Sequence, residues 1–231
     1  MMEGCPMILR CFLFTLSWIL VVPASAGTIR GTVRAEGAEK VRAGGADDGY
    51  ASRRYKFVEK VDYNKLQDFV VSVDQAMPTN PSAAASTPSV VQRDANFEPH
   101  VLAIAVGTGV KWPNQDDIYH NVFSMAETKD FNLGLYGKEK TPTLVFDKVG
   151  RVDVFCSIHT KMHCIILVLP NPFFAMSDGR GNYVIKDVPA GTYRLKAWQE
   201  RMPPMIQEVT VPAEGEVRVD FVLGLADLPQ S

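Results

Sequence analysis

The chain has 231 residues, 24 Lys and Arg against 26 Asp and Glu, and a formal net charge of -2. This balance, without a basic patch interleaved with aromatic residues, argues against a nucleic-acid-binding protein. Glycine and proline separate short alternating apolar runs, which is the pattern of an all-β protein.

The first 26 residues have the composition of a secretory signal peptide. Arg10 precedes an apolar run from Cys11 to Val22, and Ala24-Ser25-Ala26 supplies the small residues of a cleavage site. We expect residues 1–26 to be removed on export. No other stretch approaches the roughly 20 apolar residues of a membrane-spanning helix. The sequence therefore predicts a periplasmic protein without a membrane span.

Two strand-like segments follow the signal peptide. Residues 28–33 and 69–73 are both rich in β-branched residues, and each is predicted to be a strand. Residues 77–89 are rich in Pro, Ser and Ala and are predicted to be a linker.

A more regular alternation begins at Val90 and continues to about residue 170. In the run that starts at Gly150, Val152, Val154 and Cys156 fall on one face of a predicted strand because side chains alternate with period two. The Cys156 thiol is therefore expected at the end of a strand, on the core side.

Cysteine, histidine and methionine follow that strand at the spacing C-x-x-H-x-x-M. Cys156, His159 and Met162 lie on one short loop, and His120 follows a polar loop upstream. A blue-copper site requires two imidazoles and a thiolate in a trigonal arrangement, with a weak axial thioether. The sequence therefore predicts one type 1 copper held by His120, Cys156, His159 and Met162. The competing interpretation is a fold of this type that has lost its copper.

Residues from about 91 to 169 resemble the plastocyanin/azurin (cupredoxin) family. The resemblance is carried by Phe97-Glu98-Pro99, the segment 107–112, Asn114, His120-Asn121-Val122 and the segment 150–156. The ligand loop is similar to that of the amicyanins, and the whole chain resembles bacterial methylamine-utilisation or plastocyanin-like exported proteins. The resemblance implies a Greek-key sandwich with the same four ligands, and it implies that Asn121 ties the two ligand loops together.

Two residues depart from the family pattern. Cys164 shares a face with Met162 and is either a small buried side chain or, in copper-free protein, a disulfide partner of Cys156. His163 points the other way and is either an ordinary exposed histidine or a second metal contact.

Three polar residues outside the predicted site receive no functional role. His100 has no assigned partner and is expected at the surface. Asp116 and Asp117 are expected to be solvated loop residues.

The C-terminal part, residues 171–227, resembles carboxypeptidase regulatory-like or transthyretin-like sandwich modules. The resemblance is carried by the turn at 178–183 and the segment 188–193. Such modules typically begin with a Gly-Thr-Val strand and a Val-rich second strand, and both occur in residues 27–76. The resemblance implies one sandwich formed by residues 27–76 and 171–227, with a copper domain, residues 90–170, inserted after the 77–89 linker.

Electron transfer by Cu(I)/Cu(II) cycling is the expected function. The expected partner is a soluble redox protein such as a c-type cytochrome or a periplasmic dehydrogenase. Copper delivery or scavenging and a copper-free interaction module remain open. An enzyme is not expected, because the chain has only 4 His and family resemblance requires about eight further ones for a trinuclear oxidase cluster.

Overall fold

The computed structural model describes residues 26–36, 62–77 and 87–224. Their regular structure consists of β-strands and one short 3-10 helix, Tyr63–Lys65. The prediction of an all-β sandwich protein is therefore confirmed. Apart from Ala26, the predicted signal peptide lies outside the described residues. Within those ranges, no helix is long and apolar enough to cross a membrane.

Seventeen strands are labelled in chain order. They are β1 (Ala26–Glu36), β2 (Val70–Val73), β3 (Val91–Arg93), β4 (Asn96–Glu98), β5 (Val101–Ala105), β6 (Thr108–Lys111), β7 (His120–Ala126), β8 (Lys129–Tyr136), β9 (Thr143–Phe146), β10 (Gly150–Phe155), β11 (His163–Leu169), β12 (Phe174–Met176), β13 (Asn182–Pro189), β14 (Gly191–Gln199), β15 (Met202–Val211), β16 (Glu216–Arg218) and β17 (Phe221–Gly224).

Strands from both ends of the chain form one sandwich, called here the split sandwich. β1 pairs antiparallel with β13 and parallel with β16 and β17. β2 lies between β12 and β14, and β14 pairs with β15. The two sheets share one apolar core to which residues 29–35, 69–73 and 183–223 all contribute. The domain boundaries given above stay predictions.

A close backbone approach fixes Gly31 in β1. A Cβ atom at this position would lie 1.7 Å from the carbonyl oxygen of Val219. Only glycine allows that approach without moving the backbone. Close packing against the Val219 backbone therefore explains the glycine that begins the Gly-Thr-Val segment.

Residues 90–168 form a second core, and the unit around it is called here the inserted sandwich. Its five-stranded sheet has the order β5-β11-β10-β7-β8, and β3–β4 and β6–β9 form two further pairs. β5 and β11 are parallel, and the other neighbours in the five-stranded sheet are antiparallel.

β11 is covered on both faces. Cys164, Ile166 and Val168 face the inserted core. The alternate residues Ile165, Leu167 and Leu169 lie in a third apolar cluster with Val70, Val101 and Ala103, against which Phe174 and Trp198 pack. This third cluster joins the two sandwiches. It explains why β11 reads as a continuous apolar run instead of an alternating one.

Candidate metal centre

Three side chains from two distant segments converge at one end of the inserted sandwich. His120 is the first residue of β7, Cys156 directly follows β10, and His159 lies on the loop between β10 and β11. Each offers one ligand atom, and these atoms all lie within 4.8 Å of one another. His120 and Cys156 are buried, whereas His159 is half-buried. The structure thus brings together three of the four predicted ligands.

Backbone hydrogen bonds close the loop that carries Cys156, His159 and Met162. The Cys156 N–H donates to the Met162 carbonyl at 3.2 Å, and the Met162 N–H donates to the His159 carbonyl at 3.0 Å. The Met162 side chain is buried in the same core cluster as Cys156. This placement is compatible with the expected axial thioether, and the ligand role of Met162 stays a prediction.

Asp116 contacts His120, so the expectation that it is merely a solvated loop residue is wrong. His120 Nε2 lies 2.7 Å from Asp116 Oδ2, and the Asp116 side chain is only 14% exposed. Burial by itself would raise the pKa of Asp116. Hydrogen bonds from the Ala95 amide, the His120 ring and the Asp94 amide outweigh burial, and the pKa is lowered.

The contact with Asp116 determines which His120 nitrogen can bind a metal. A carboxylate only accepts hydrogen bonds, so His120 Nε2 carries the hydrogen and Nδ1 carries the lone pair. A carboxylate behind a ligating histidine fixes the tautomer and the ring orientation in metal sites. No sequence motif marks Asp116, and its spacing of four residues before His120 is the one signal that could have suggested it.

The donor atoms lie close enough together for a single metal ion to bind all of them. His120 Nδ1 lies 3.1 Å from His159 Nδ1, and Cys156 Sγ lies 3.8 Å from the same nitrogen. Nitrogen and sulfur donors bonded to one ion at about 2.0 and 2.3 Å in a trigonal arrangement lie roughly 3.5 to 3.7 Å apart. A metal ion bound by both nitrogens would replace the hydrogen between them.

A buried polar network fixes the loop that leads to His120. The Asn114 amide donates to the Ile118 carbonyl at 2.9 Å and to the Tyr136 carbonyl at 3.0 Å. The Tyr136 hydroxyl donates to the Trp112 carbonyl at 2.8 Å and accepts from Gln92 at 2.7 Å. These bonds hold residues 114–119 against the core, which positions both His120 and Asp116.

Asn121 contacts β8 in this structure. Its Nδ2 donates to Asn132 Oδ1 at 2.8 Å, and its own Oδ1 is buried without a hydrogen-bond partner. The buried oxygen is free to accept a bond from a neighbouring loop. The predicted role of Asn121 in tying the two ligand loops together stays a prediction.

Cys164 and His163 differ in their surroundings, as alternation predicts. Cys156 and Cys164 are both free and buried, so the structure contains the small buried side chain and not the disulfide. Burial, with the nearby Asp153 carboxylate as the second cause, raises the pKa of the Cys164 thiol well above its usual value. His163 Nε2 contacts Asp153 Oδ1 at 3.0 Å, and the His163 side chain is half-buried.

Part of this chain is similar to several solved structures. No family model and no curated protein sequence matches the chain. A purple cupredoxin from Nitrosopumilus maritimus is 25% identical with a TM-score of 0.32, over 35% of this chain and 98% of that one. A reduced Cu(I) form of an amicyanin mutant is 24% identical with a TM-score of 0.34, over 42% and 97%. A copper-containing nitrite reductase from Thermus scotoductus is 25% identical with a TM-score of 0.36, over 41% and 27%. These TM-scores are low, so the metal centre is inferred from the positions of the side chains around His120.

Proposed function

We propose that this chain binds one type 1 copper ion through His120, Cys156 and His159, with Met162 as a weak axial ligand, and transfers electrons in the periplasm without acting as an enzyme. The observation that carries the proposal is the convergence of two imidazole Nδ1 atoms and one thiol within reach of a single ion. A thiolate and a thioether favour Cu(I), and imidazoles suit Cu(II), so this donor set supports both oxidation states.

The protein's contribution is to fix the donors before the metal binds. Asp116 orients His120, and the Cys156–Met162 backbone bond closes the loop that carries the other donors. Cys156 and Met162 are almost completely buried, which keeps water away from the sulfur atoms. Donors held in one geometry keep the structural change between oxidation states small, and that property suits electron transfer.

Exposed apolar side chains lie next to two of the candidate ligands along the chain. Ile118 and Tyr119 precede His120 and are 49% and 60% exposed, and Ile158 precedes His159 and is 52% exposed. Exposed apolar patches are typical of protein-interaction sites. They support docking of a soluble redox protein, such as a c-type cytochrome or a periplasmic dehydrogenase, beside His159.

Copper retention during reduction tests this proposal against copper delivery. The copper-loaded chain would be reduced and reoxidised repeatedly in the presence of a Cu(I) chelator of moderate affinity. An electron carrier keeps its copper and recovers its full visible absorbance after every cycle. Transfer of the copper to the chelator on each reduction would instead indicate a delivery or scavenging protein.

A further inference from the structure

A second group of potential ligands lies at the edge of the contact between the two sandwiches. His100, His163 and Glu200 offer ligand atoms that all lie within 4.8 Å of one another. His100 directly precedes β5, His163 begins β11, and Glu200 lies between β14 and β15. The inserted sandwich therefore supplies two imidazoles and the split sandwich supplies a carboxylate. His100 lies at the surface, as expected, with a side chain that is 42% exposed, and the structure gives it Glu200 as a partner.

The His163 ring is held in one orientation. It stacks on Phe155 with ring centroids 4.8 Å apart, and its Nε2 lies 3.0 Å from Asp153 Oδ1. Asp153 also accepts two hydrogen bonds from Arg151. Asp153 is therefore an acceptor, so His163 Nε2 donates and Nδ1 carries the lone pair. The arrangement repeats the pairing of His120 with Asp116.

His100 contacts both of the other candidate residues. Its Nε2 lies 2.9 Å from Glu200 Oε2, and its Nδ1 lies 3.3 Å from the His163 carbonyl oxygen. A metal ion bound by His100 Nε2 and Glu200 Oε2 would replace the hydrogen between these two atoms. The fold therefore already brings two potential donor atoms from the two sandwiches together.

Two carboxylates lie at or beside the candidate ligands. They belong to Glu200 and Asp153, and Arg151 donates to both Asp153 oxygens at 2.8 and 2.6 Å. Arg151 lies 3.8 Å from Glu200 Oε1, so the Glu200 carboxylate is less directly paired. His163 and Glu200 are half-buried and the His100 side chain is 42% exposed, which leaves a path for an ion to enter.

We propose that His100, His163 and Glu200 form a second metal site for a divalent cation such as Zn²⁺ or Cu²⁺, linking the inserted sandwich to the split sandwich. Two imidazoles and one carboxylate are a ligand set that such ions accept, with a fourth position for water. The proposal does not depend on copper binding at Cys156, because the two sites share no ligand.

Zinc titration of a full-length chain with a disabled first site tests the proposal. The parent would carry Cys156→Ser and His159→Ala, and Zn²⁺ binding would be measured by calorimetry. We expect one Zn²⁺ per chain. His100→Ala and Glu200→Gln should each weaken binding by at least the factor of about 10 to 100 typical of losing a residue that supports a ligand. Glu98→Gln is the matched control, because Glu98 is an exposed carboxylate paired with Arg93 and lies two residues from His100.

Imidazole NMR of the same Cys156→Ser, His159→Ala parent tests the site without any further substitution. This measurement therefore decides the question even if a His100 or Glu200 variant does not fold. Zn²⁺ should shift the ring signals of His100 and His163 and leave the His120 ring unchanged. The proposal is overturned if the parent binds no Zn²⁺, if Zn²⁺ shifts neither ring, or if the folded variants bind Zn²⁺ as tightly as the Glu98→Gln control.

Discussion

The two sandwiches treat buried polar groups differently. In the split sandwich, the buried Asn171 amide donates to the carbonyls of Val73 and Gln75, each at 2.8 Å. In the inserted sandwich, the fully buried His120 faces another imidazole and a thiol. The polar atoms that are buried without a partner in the described residues, Gln92 Oε1, Trp112 Nε1 and Asn121 Oδ1, all belong to the inserted sandwich.

This difference places the candidate metal centre in the half of the molecule that leaves buried polar atoms without a partner. A buried polar group destabilises the fold unless it is hydrogen-bonded. Both sandwiches use buried amide side chains to satisfy backbone carbonyls, Asn171 in the split sandwich and Asn114 in the inserted sandwich. The inserted sandwich in addition places a thiol and two imidazoles at one end of its core, where the proposed metal ion would bind all three.

Removing the Cys156 thiol should have the largest effect on the proposed copper site. Cys156→Ser is expected to abolish the visible copper absorbance, because that absorbance requires a copper–thiolate bond. Cys164→Ser is the matched control, since Cys164 is also buried and free but faces the core on β11. Absorbance lost in the Cys164 variant and kept in the Cys156 variant would reverse the assignment of the ligand.

A core truncation in the split sandwich should affect stability without affecting the metal. Leu195 is fully buried in that core, and Leu195→Ala should lower the free energy of unfolding by about 2 to 5 kcal/mol. Denaturant unfolding measures the loss, and copper titration of the folded protein should remain unchanged. Weakened copper binding in the folded variant would show that the two sandwiches do not act separately.

Asp116 should affect the metal more than the fold. Asp116→Asn keeps the size of the side chain but removes the charge that orients His120. We expect copper affinity to fall by about 10- to 100-fold, as is typical for a residue behind a metal ligand. Asp117→Asn is the control, because the Asp117 side chain is 94% exposed and pairs with Lys138. Equal copper affinities in the two variants would remove Asp116 from the site.

The strands were predictable from the sequence, whereas contacts between loops were not. Alternation reports which residues share a face, so the thiol of Cys156 could be placed on the core side of β10. His100 lies 63 residues from His163 and 100 residues from Glu200. No local pattern indicates that these three meet, because their distances depend on how the two sandwiches pack through β11. Asp116 was missed for the same kind of reason, since its role depends on the fold of one irregular loop.

The smallest expected effect concerns Asp220 in the split sandwich. Its carboxylate accepts from the Thr32 amide at 2.7 Å, from the Thr32 hydroxyl at 2.9 Å and from Arg218 at 2.9 Å. Hydrogen bonds from Arg218 and Thr32 lower the pKa of Asp220 from 3.8 to about 2. Because the pKa of Asp220 is lower in the folded chain than in the unfolded chain, its ionised carboxylate stabilises the fold at pH values above about 4. This contribution is lost as the pH falls from about 4 to about 2.

Comparison with Asp220→Asn isolates that contribution. The difference in unfolding free energy between the original chain and the variant should be constant above about pH 5 and should shrink as the pH falls toward 2. Copper absorbance at neutral pH should be the same in both proteins. A difference that grows as the pH falls would contradict the expected sign.

The most direct test of the central claim is a copper titration of the full chain followed by visible spectroscopy. Binding by two imidazoles and a thiolate predicts an intense thiolate-to-copper absorption band that rises linearly and saturates at one Cu(II) at the His120, Cys156 and His159 site. A weaker second binding event without this band would belong to the proposed His100 site. If Cu(II) binds without the intense band, or if no Cu(II) binds, the convergence of His120, Cys156 and His159 does not form a blue copper centre.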